Sequence, residues 1–430
     1  MCCVLVGLDP PTVRGLSTLL YNLSVKGSPQ LIMSLRPQDP LPDWITHLVI
    51  LGPAHTVSFQ GEKSQVFKDL KESVNYETKN KMNTITNKGA DERTTLLHDL
   101  NVISNNGAKH VSRRIIEDGE PIIEMDGVKV TYGNKTVLGG WHQPSNAEPT
   151  KQKDGLFWTV RRGQRWGVFG LNGSGKTTLI SLITSDHPQA YGLPIKLFGR
   201  SRLPEPGRPA ISIFDLQARI GHSSPEVHAF FPRNLSVRAA IESSWADTFL
   251  SKPRLDEGKS LDVDAALRFF EADLDPEFSV AKPGPNSESS EGSSLAWARD
   301  VRFSSLTVSQ QRLVLFVRAV IHKPDLVILD EAFSSMPASL RDKCIRFLEE
   351  GESSEGSESG SADKIRHRGL SESQALIVVS HVKEEVPDIV SHWMRLPTAS
   401  ENGEKKSGFS IGTLGDQQTV SDVWDEIWGL

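Results

Sequence analysis

The 430-residue sequence lacks any apolar run long enough to cross a bilayer, and its first residues lack the basic segment and apolar core of a secretory leader. A role in transport would therefore need a separate membrane partner. Asp9 and a sparse arginine content also depart from the Arg-rich, acid-poor pattern of an organelle transit peptide. Cysteine is scarce too. Cys2, Cys3 and Cys344 have neither metal-ligand spacing nor the even count of a disulfide framework, which fits a reducing compartment. We expect a cytoplasmic protein, with a mitochondrial one as the alternative. There is no excess of positive charge: the net charge is −6, so the chain carries no basic field for gripping nucleic acid. What is present, 37% hydrophobic and 24% charged residues, is the composition of an ordinary globular protein, and the length calls for two units joined by a linker.

Residues 1 to about 75 carry an ordered pattern. Val13, Leu16, Leu19, Leu20 and Leu23 form a helical stripe that leads into the apolar run Gln30 to Leu35, read as a buried strand. The segments His47 to Leu51 and His55 to Phe59 flank Gly52-Pro53 and predict a hairpin, followed by a charged helix from Glu62 to Glu72. From Ser73 to about Pro121 the composition is that of a linker, with one helix around Asp91 to Val102. A second ordered unit starts at Ile122. Three polar stretches within it, Pro144 to Lys153, Pro283 to Ser294 and Gly351 to Ser361, bury too little apolar area to offset their ordering entropy and read as surface insertions.

The segment Gly170-Leu171-Asn172-Gly173-Ser174-Gly175-Lys176-Thr177-Thr178 follows an apolar strand, Arg165 to Phe169, and opens a helix at Leu179 to Ile183. That context matters. The glycines let backbone N–H groups face a phosphate, the helix N-terminus adds its positive end, Lys176 reaches the β and γ oxygens, and the Thr177 hydroxyl joins a magnesium ion. The expected ligand is ATP with Mg2+. Farther on, Leu326 to Leu329 is a buried strand that ends in Asp330-Glu331. An Asp there can hold the magnesium hydration shell, and the adjacent Glu can polarise the attacking water.

Leu306-Thr307-Val308-Ser309-Gln310-Gln311-Arg312 precedes an apolar helix that runs into the Asp330-Glu331 strand, and with this order the chain resembles the ATP-binding-cassette family. The resemblance implies that Leu306, Thr307, Ser309 and Gln310 match a signature segment that caps the γ-phosphate of a nucleotide held by an opposing domain. Val308 and Ser309 stand where the family has glycines. It implies further that His381, after the strand Ala375 to Val379, is a switch that contacts the γ-phosphate, and that Tyr132 is the aromatic that stacks on adenine. At the family's glutamine loop this sequence has Arg219 to Glu226 with no glutamine, which leaves Glu226 as the nearest substitute on the metal side. The loop after the acidic pair, Ser334 to Pro337, lacks the family's Asp.

Val6-Gly7-Leu8-Asp9-Pro10 is similar to that post-acidic loop in another cassette, so residues 1–75 are expected to be the C-terminal remnant of a first cassette. Residues 76–120 are then a linker and 121–430 a complete second cassette. Two fused cassettes without membrane spans are similar to the soluble tandem ATPases of the ModF-like group. The fold expected is α/β: a parallel-centred sheet of the P-loop NTPase type, an antiparallel β edge from residues 122 to 160, and a helical subdomain over about 226–304. The expected activity is ATP hydrolysis with Lys176, Glu331 and His381 as the catalytic set and cassette closure as output. The expected partner is a second copy of the chain or a missing first cassette. The rivals are a nucleotide-responsive binding module with little turnover and an energising subunit of a transporter.

Overall fold

The computed structural model describes residues 8–26, 30–35, 41–51, 56–80, 119–144, 152–275, 295–352, 365–397, 408–415 and 418–429. The expected helix at 91–102 and most of the three polar insertions lie outside these. The chain divides into two compact units, residues 1–110 with 337–342, and 111–336 with 343–430.

In the first unit, α1 (Pro10–Val25) begins where Asp9 accepts a hydrogen bond from the Thr12 N–H at 2.9 Å, with prolines in the first turn where their missing N–H costs nothing. Strands β1 (His47–Leu51) and β2 (Val57–Glu62) pair antiparallel, with His47 opposite Glu62. Helix α2 (Lys63–Asn80) follows directly and runs past the end expected at Glu72. Residues 30–35 are not a strand, and Ile32 is almost fully exposed. An apolar run becomes a strand only where a neighbour takes up its N–H and C=O groups, and the β1–β2 pair is the only sheet among the described residues of this unit.

The second unit carries two main sheets. The antiparallel one has the order β10-β3-β8, built from β3 (Pro121–Val128), β8 (Leu156–Arg161) and β10 (Ile195–Leu197). Its flank carries the short pairs β4 (Val130–Tyr132) with β5 (Lys135–Leu138) and β6 (His142–Pro144) with β7 (Gln152–Asp154). The six-stranded sheet has the order β11-β12-β13-β9-β14-β15, with ranges Ile220–Ser223, Leu326–Asp330, Ala375–Val379, Arg165–Gly170, His392–Leu396 and Ser410–Thr413. All its pairings are parallel except β14 with β15. Strands β12 and β13 are buried along their whole length, which is why they read as continuous apolar runs rather than as alternating ones.

Four helices lie against the parallel sheet, α3 (Lys176–Thr184), α4 (Ile213–Arg219), α5 (Pro225–Phe230) and α8 (Val308–Ile321), while α6 (Val237–Glu242) and α7 (Glu257–Phe269) pack on other helices, and α9 (Ala338–Glu349) belongs to this unit from Lys343 on. The last is α10 (Trp424–Trp428). Arg238 on α6 reaches Glu242 at 2.7 Å and also Asp264 on α7. This buried cation fastens the helical part internally. Asp325, just before β12, accepts from Arg162 and from Arg219, each at 2.6 Å. Burial pushes its carboxyl up, but the two guanidinium groups outweigh that and hold it below the usual range. One carboxylate thus ties together the entries of β9, β12 and the α4–β11 corner.

Candidate nucleotide site

Parallel strands leave their C-terminal ends on one edge, and in open α/β sheets that edge is where ligands collect. Strand β13 lies between β9 and β12. The loop after β9, the Ser380-His381 turn after β13 and Asp330-Glu331 at the end of β12 therefore emerge side by side.

The loop after β9 folds on its glycines. Gly170, Gly173 and Gly175 have φ of 151°, 82° and 93°. A Cβ on Gly170 would meet Ser174 Oγ at 2.5 Å and the Leu396 carbonyl at 2.8 Å, and one on Gly175 would meet the Val137 carbonyl at 2.8 Å. The loop is thus seated between β14 and β5 with no room for side chains at those two positions. Around Gly173 there is open space. Asn172, Gly173 and Thr177 are exposed, Thr178 is half-buried, and Ser174 and Lys176 are buried. Lys176 Nζ donates to the carbonyls of Gly170 at 2.8 Å and Leu171 at 3.1 Å, folding the ammonium back over the loop. Ser174 Oγ is buried without a hydrogen-bond partner. A glycine-rich loop opening a helix, a buried cation and an orphaned hydroxyl suit a phosphate chain.

Asp330 is buried, and its carboxyl is raised from 3.8 to about 7, first by burial and then by the charges of Glu331 and Glu226, against the opposing pull of Lys176. Glu226 stands in the first turn of α5, behind an N-cap in which Ser224 accepts from the Val227 N–H. A cavity of about 550 Å3 is lined by Thr177, Asp330 and Glu226 together with His222, Arg318 and Phe249. Burial, reinforced by Arg318, pushes His222 down to about 4, so it adds no positive charge to this wall. A hydroxyl and two carboxylates, of which Asp330 is buried while Thr177 and Glu226 are exposed, line one cavity and suit a divalent cation.

Glu331 has φ of 47°, a conformation rarely adopted by a residue with a side chain, held from both sides. Its N–H donates to the Val379 carbonyl at 2.9 Å, and its own carbonyl accepts from Arg312 Nη1 at 2.6 Å. Strain of this kind persists where the surroundings over-determine it and clusters at functional sites. The side chain points towards the turn after β13, with Glu331 Oε1 3.7 Å from His381 Nε2.

Tyr132 ends β4, at the hairpin that packs on Gly175, and its ring is half exposed. The hydroxyl is 2.6 Å from His187 Nε2. Because His187 Nδ1 accepts from the Gln189 N–H at 3.1 Å, the ring proton sits on Nε2 and His187 donates to the tyrosine. Burial lowers the His187 pKa, which favours this neutral form.

The four signature-like residues are brought together with one another rather than with the loop. Thr307 is the N-cap of α8. It accepts from the Gln310 N–H while Gln310 Oε1 accepts from the Thr307 N–H at 3.0 Å, forming a capping box. Gln310 Nε2 donates to the Asp273 carbonyl at 2.8 Å, Ser309 Oγ lies 3.2 Å from Thr307 Oγ1, and Leu306 is buried. Three contacts of the site carry no signal in the sequence: Arg312 on the Glu331 carbonyl, His187 on Tyr132, and Trp428 beside His381 at 5.9 Å between ring centroids.

Residues 154–334 match the family model described as ABC transporter. An ABC transporter ATP-binding protein of Schizosaccharomyces pombe is 31% identical over 385 residues, covering 90% of this chain and 61% of that protein. One of Saccharomyces cerevisiae is 30% identical over 414 residues, covering 92% and 64%. The ABC transporter ATP-binding protein ModF of Escherichia coli is 27% identical over 281 residues, covering 65% and 45%. The chain spans less than two thirds of the length of each of these relatives. The glycine loop and the acidic pair lie within residues 154–334, so the site sits in a domain similar to the ATP-binding cassette, with the histidine turn on the neighbouring strand end.

Proposed function

We propose that this chain binds ATP with a magnesium ion at the edge formed by β9, β13 and β12, and hydrolyses it. The observation that carries the reading is the convergence there of Lys176, Asp330-Glu331 and His381, from segments far apart in sequence. In this reading the backbone of Gly170 to Gly175 cradles the phosphates, with Asn172 at the exposed rim. On ATP binding Lys176 exchanges its two carbonyl partners for phosphate oxygens, and Thr177 and Thr178 open the helix beneath them. Tyr132, steadied by His187, offers its ring to the adenine. Thr177 and Asp330, with Glu226 nearby, would hold the metal, which when bound neutralises phosphate charge. Glu331 takes the proton of the attacking water, and His381, 3.7 Å from it, keeps that carboxylate aimed and senses the terminal phosphate.

The domain reading that accompanies this is a partial first cassette over residues 1–75 and a full one from 121. The partner is a second cassette, from another copy of the chain or from a first half. A cytoplasmic location belongs to the same reading, and no helix among the described residues is long and apolar enough to cross a membrane. A second reading, binding with little turnover, is favoured by the capping box, which occupies the Thr307 and Gln310 side chains in holding α8.

The test is magnesium-dependent ATP turnover by the chain beside Glu331→Gln, with thermal stabilisation recorded in the same samples. ATP at a thousandfold above its Kd is expected to stabilise the fold by about 4 kcal/mol. Turnover lost in the Gln variant supports hydrolysis, stabilisation without turnover in the wild type supports the second reading, and the absence of both overturns the proposal.

A further inference from the structure

Helix α10 lies outside residues 154–334 and outside every segment of the site, yet it packs on two of its roots. Trp424, Ile427 and Trp428 are all buried. The Trp428 ring is tilted 38° against the imidazole of His381 at 5.9 Å between centroids. It also lies 6.3 Å from the Phe169 ring and 5.6 Å from Trp424. Trp424 in turn meets Phe169 edge-on at 5.5 Å. Phe169 is fully buried and immediately precedes Gly170, where the phosphate loop begins. One short helix therefore joins the base of the loop to the histidine after β13.

A histidine side chain on a turn has two free torsions, and its ring is held in one orientation only by what surrounds it. Glu331 stands at 3.7 Å from Nε2. The indole of Trp428, a flat, rigid surface packed by Phe169 and Trp424, is the ring's aromatic neighbour. The indole Nε1 is buried and lacks a hydrogen-bond partner, so Trp428 is not held there by a polar contact of its own and packing alone explains its place.

We propose that Trp428 is a positioning residue for His381, and that α10 couples the orientation of this histidine to the phosphate loop through Phe169. The proposal rests on the function proposed above and adds an element from outside its motifs. Movement of the loop on binding a triphosphate shifts Phe169, and the shared aromatic cluster passes the shift to the imidazole. A diphosphate, lacking the terminal group that His381 addresses, leaves the Trp428 surroundings closer to those of the free chain.

The experiment compares the full chain with Trp428→Phe, Trp428→Ala, His381→Ala and the variant carrying both alanines. Nucleotide affinity and turnover are measured together with the difference in tryptophan emission between the ATP and ADP complexes. Trp428→Ala is expected to lower kcat about tenfold or more with KM changed by less than about threefold, and Trp428→Phe to recover most of the loss. The double variant is expected to be no slower than His381→Ala alone, because two residues acting through one imidazole do not add. The emission difference should be present in the wild type and lost in Trp428→Phe and in His381→Ala. Losses that multiply in the double variant, or an emission difference unchanged in Trp428→Phe, overturn the proposal while leaving the proposed function intact. If the chain binds nucleotide without turning it over, the emission arm alone decides. A wild type that binds neither nucleotide overturns both.

Discussion

The backbone N–H of Glu331 donates to the carbonyl of Val379 at 2.9 Å, so the residue after β12 is pinned to the last residue of β13 while its φ stands at 47°. Glutamate gains nothing from that conformation by itself. It is held there by Val379 on one side and Arg312 on the other, which sets its carboxylate beside His381.

Glycine occupies positive φ without strain, so Glu331→Gly is expected to be more stable than Glu331→Gln by about 1 kcal/mol, while neither supports turnover. Thermal denaturation of the two variants without nucleotide measures the difference. Equal stability would mean that the conformation carries no strain.

Asp330 gives a pH signature. Its folded-state pKa of about 7, against an ordinary 3.8, is a raised value. Its contribution to the stability of the ligand-free chain is therefore present in full below about pH 4 and lost as pH rises through 7. Melting between pH 5 and 8 should show this decline in the wild type and a flatter profile in Asp330→Asn. Magnesium-ATP should behave oppositely, because a proton on Asp330 competes with the cation. Affinity is expected to weaken by up to about tenfold per unit below pH 7, and an affinity independent of pH would exclude Asp330 from the metal site.

Tyr132→Phe keeps the ring and removes the hydroxyl that His187 grips at 2.6 Å. We expect KM for ATP to rise about two- to fivefold with kcat unchanged, a net hydrogen-bond loss near 1 kcal/mol at most, and His187→Ala to match it. Tyr132→Ala should cost more, since it removes the stacking face as well. Steady-state kinetics on the three variants distinguishes a tethered ring from a bystander.

Asp325→Ala leaves Arg162 and Arg219 facing each other without their shared acceptor. The site is partly open to solvent, so the full penalty of a broken buried pair is discounted, and a loss of about 1–2 kcal/mol is expected by urea denaturation. Nucleotide affinity at a temperature where the variant is folded should be unchanged, because Asp325 lies at the opposite ends of the strands from the site.

The phosphate loop, the acidic pair and the histidine turn were legible because each is a contiguous apolar strand with its chemistry at the last residue, and parallel strands buried on both faces leave that pattern in the sequence. The antiparallel layer was legible at β3 and β8 but not at β10, where three residues between turns are too few to show a period. The apolar run at Gln30 to Leu35 misled because hydrophobicity reports a tendency to be buried, not the presence of a partner strand. Helix α2 runs on to Asn80 through residues whose polar composition suggested a linker. Leu-Thr-Val-Ser-Gln at 306–310 is readable two ways. As local chemistry it is a helix cap, and the structure shows that cap formed. The pairs Tyr132 with His187, Glu331 with Arg312 and His381 with Trp428 were hidden because folding, not spacing, makes them neighbours.

Strand β13 is hydrogen-bonded on both sides, to β12 from Ala375 to Val379 and to β9 from Leu376 to Val379. Its amides should therefore exchange with solvent only through openings close to global unfolding. The groups of the site are loop tips rooted in that slowest-opening part, so heat has no cheap way to disarm the site while sparing the fold. Inactivation and loss of the sheet should follow one curve.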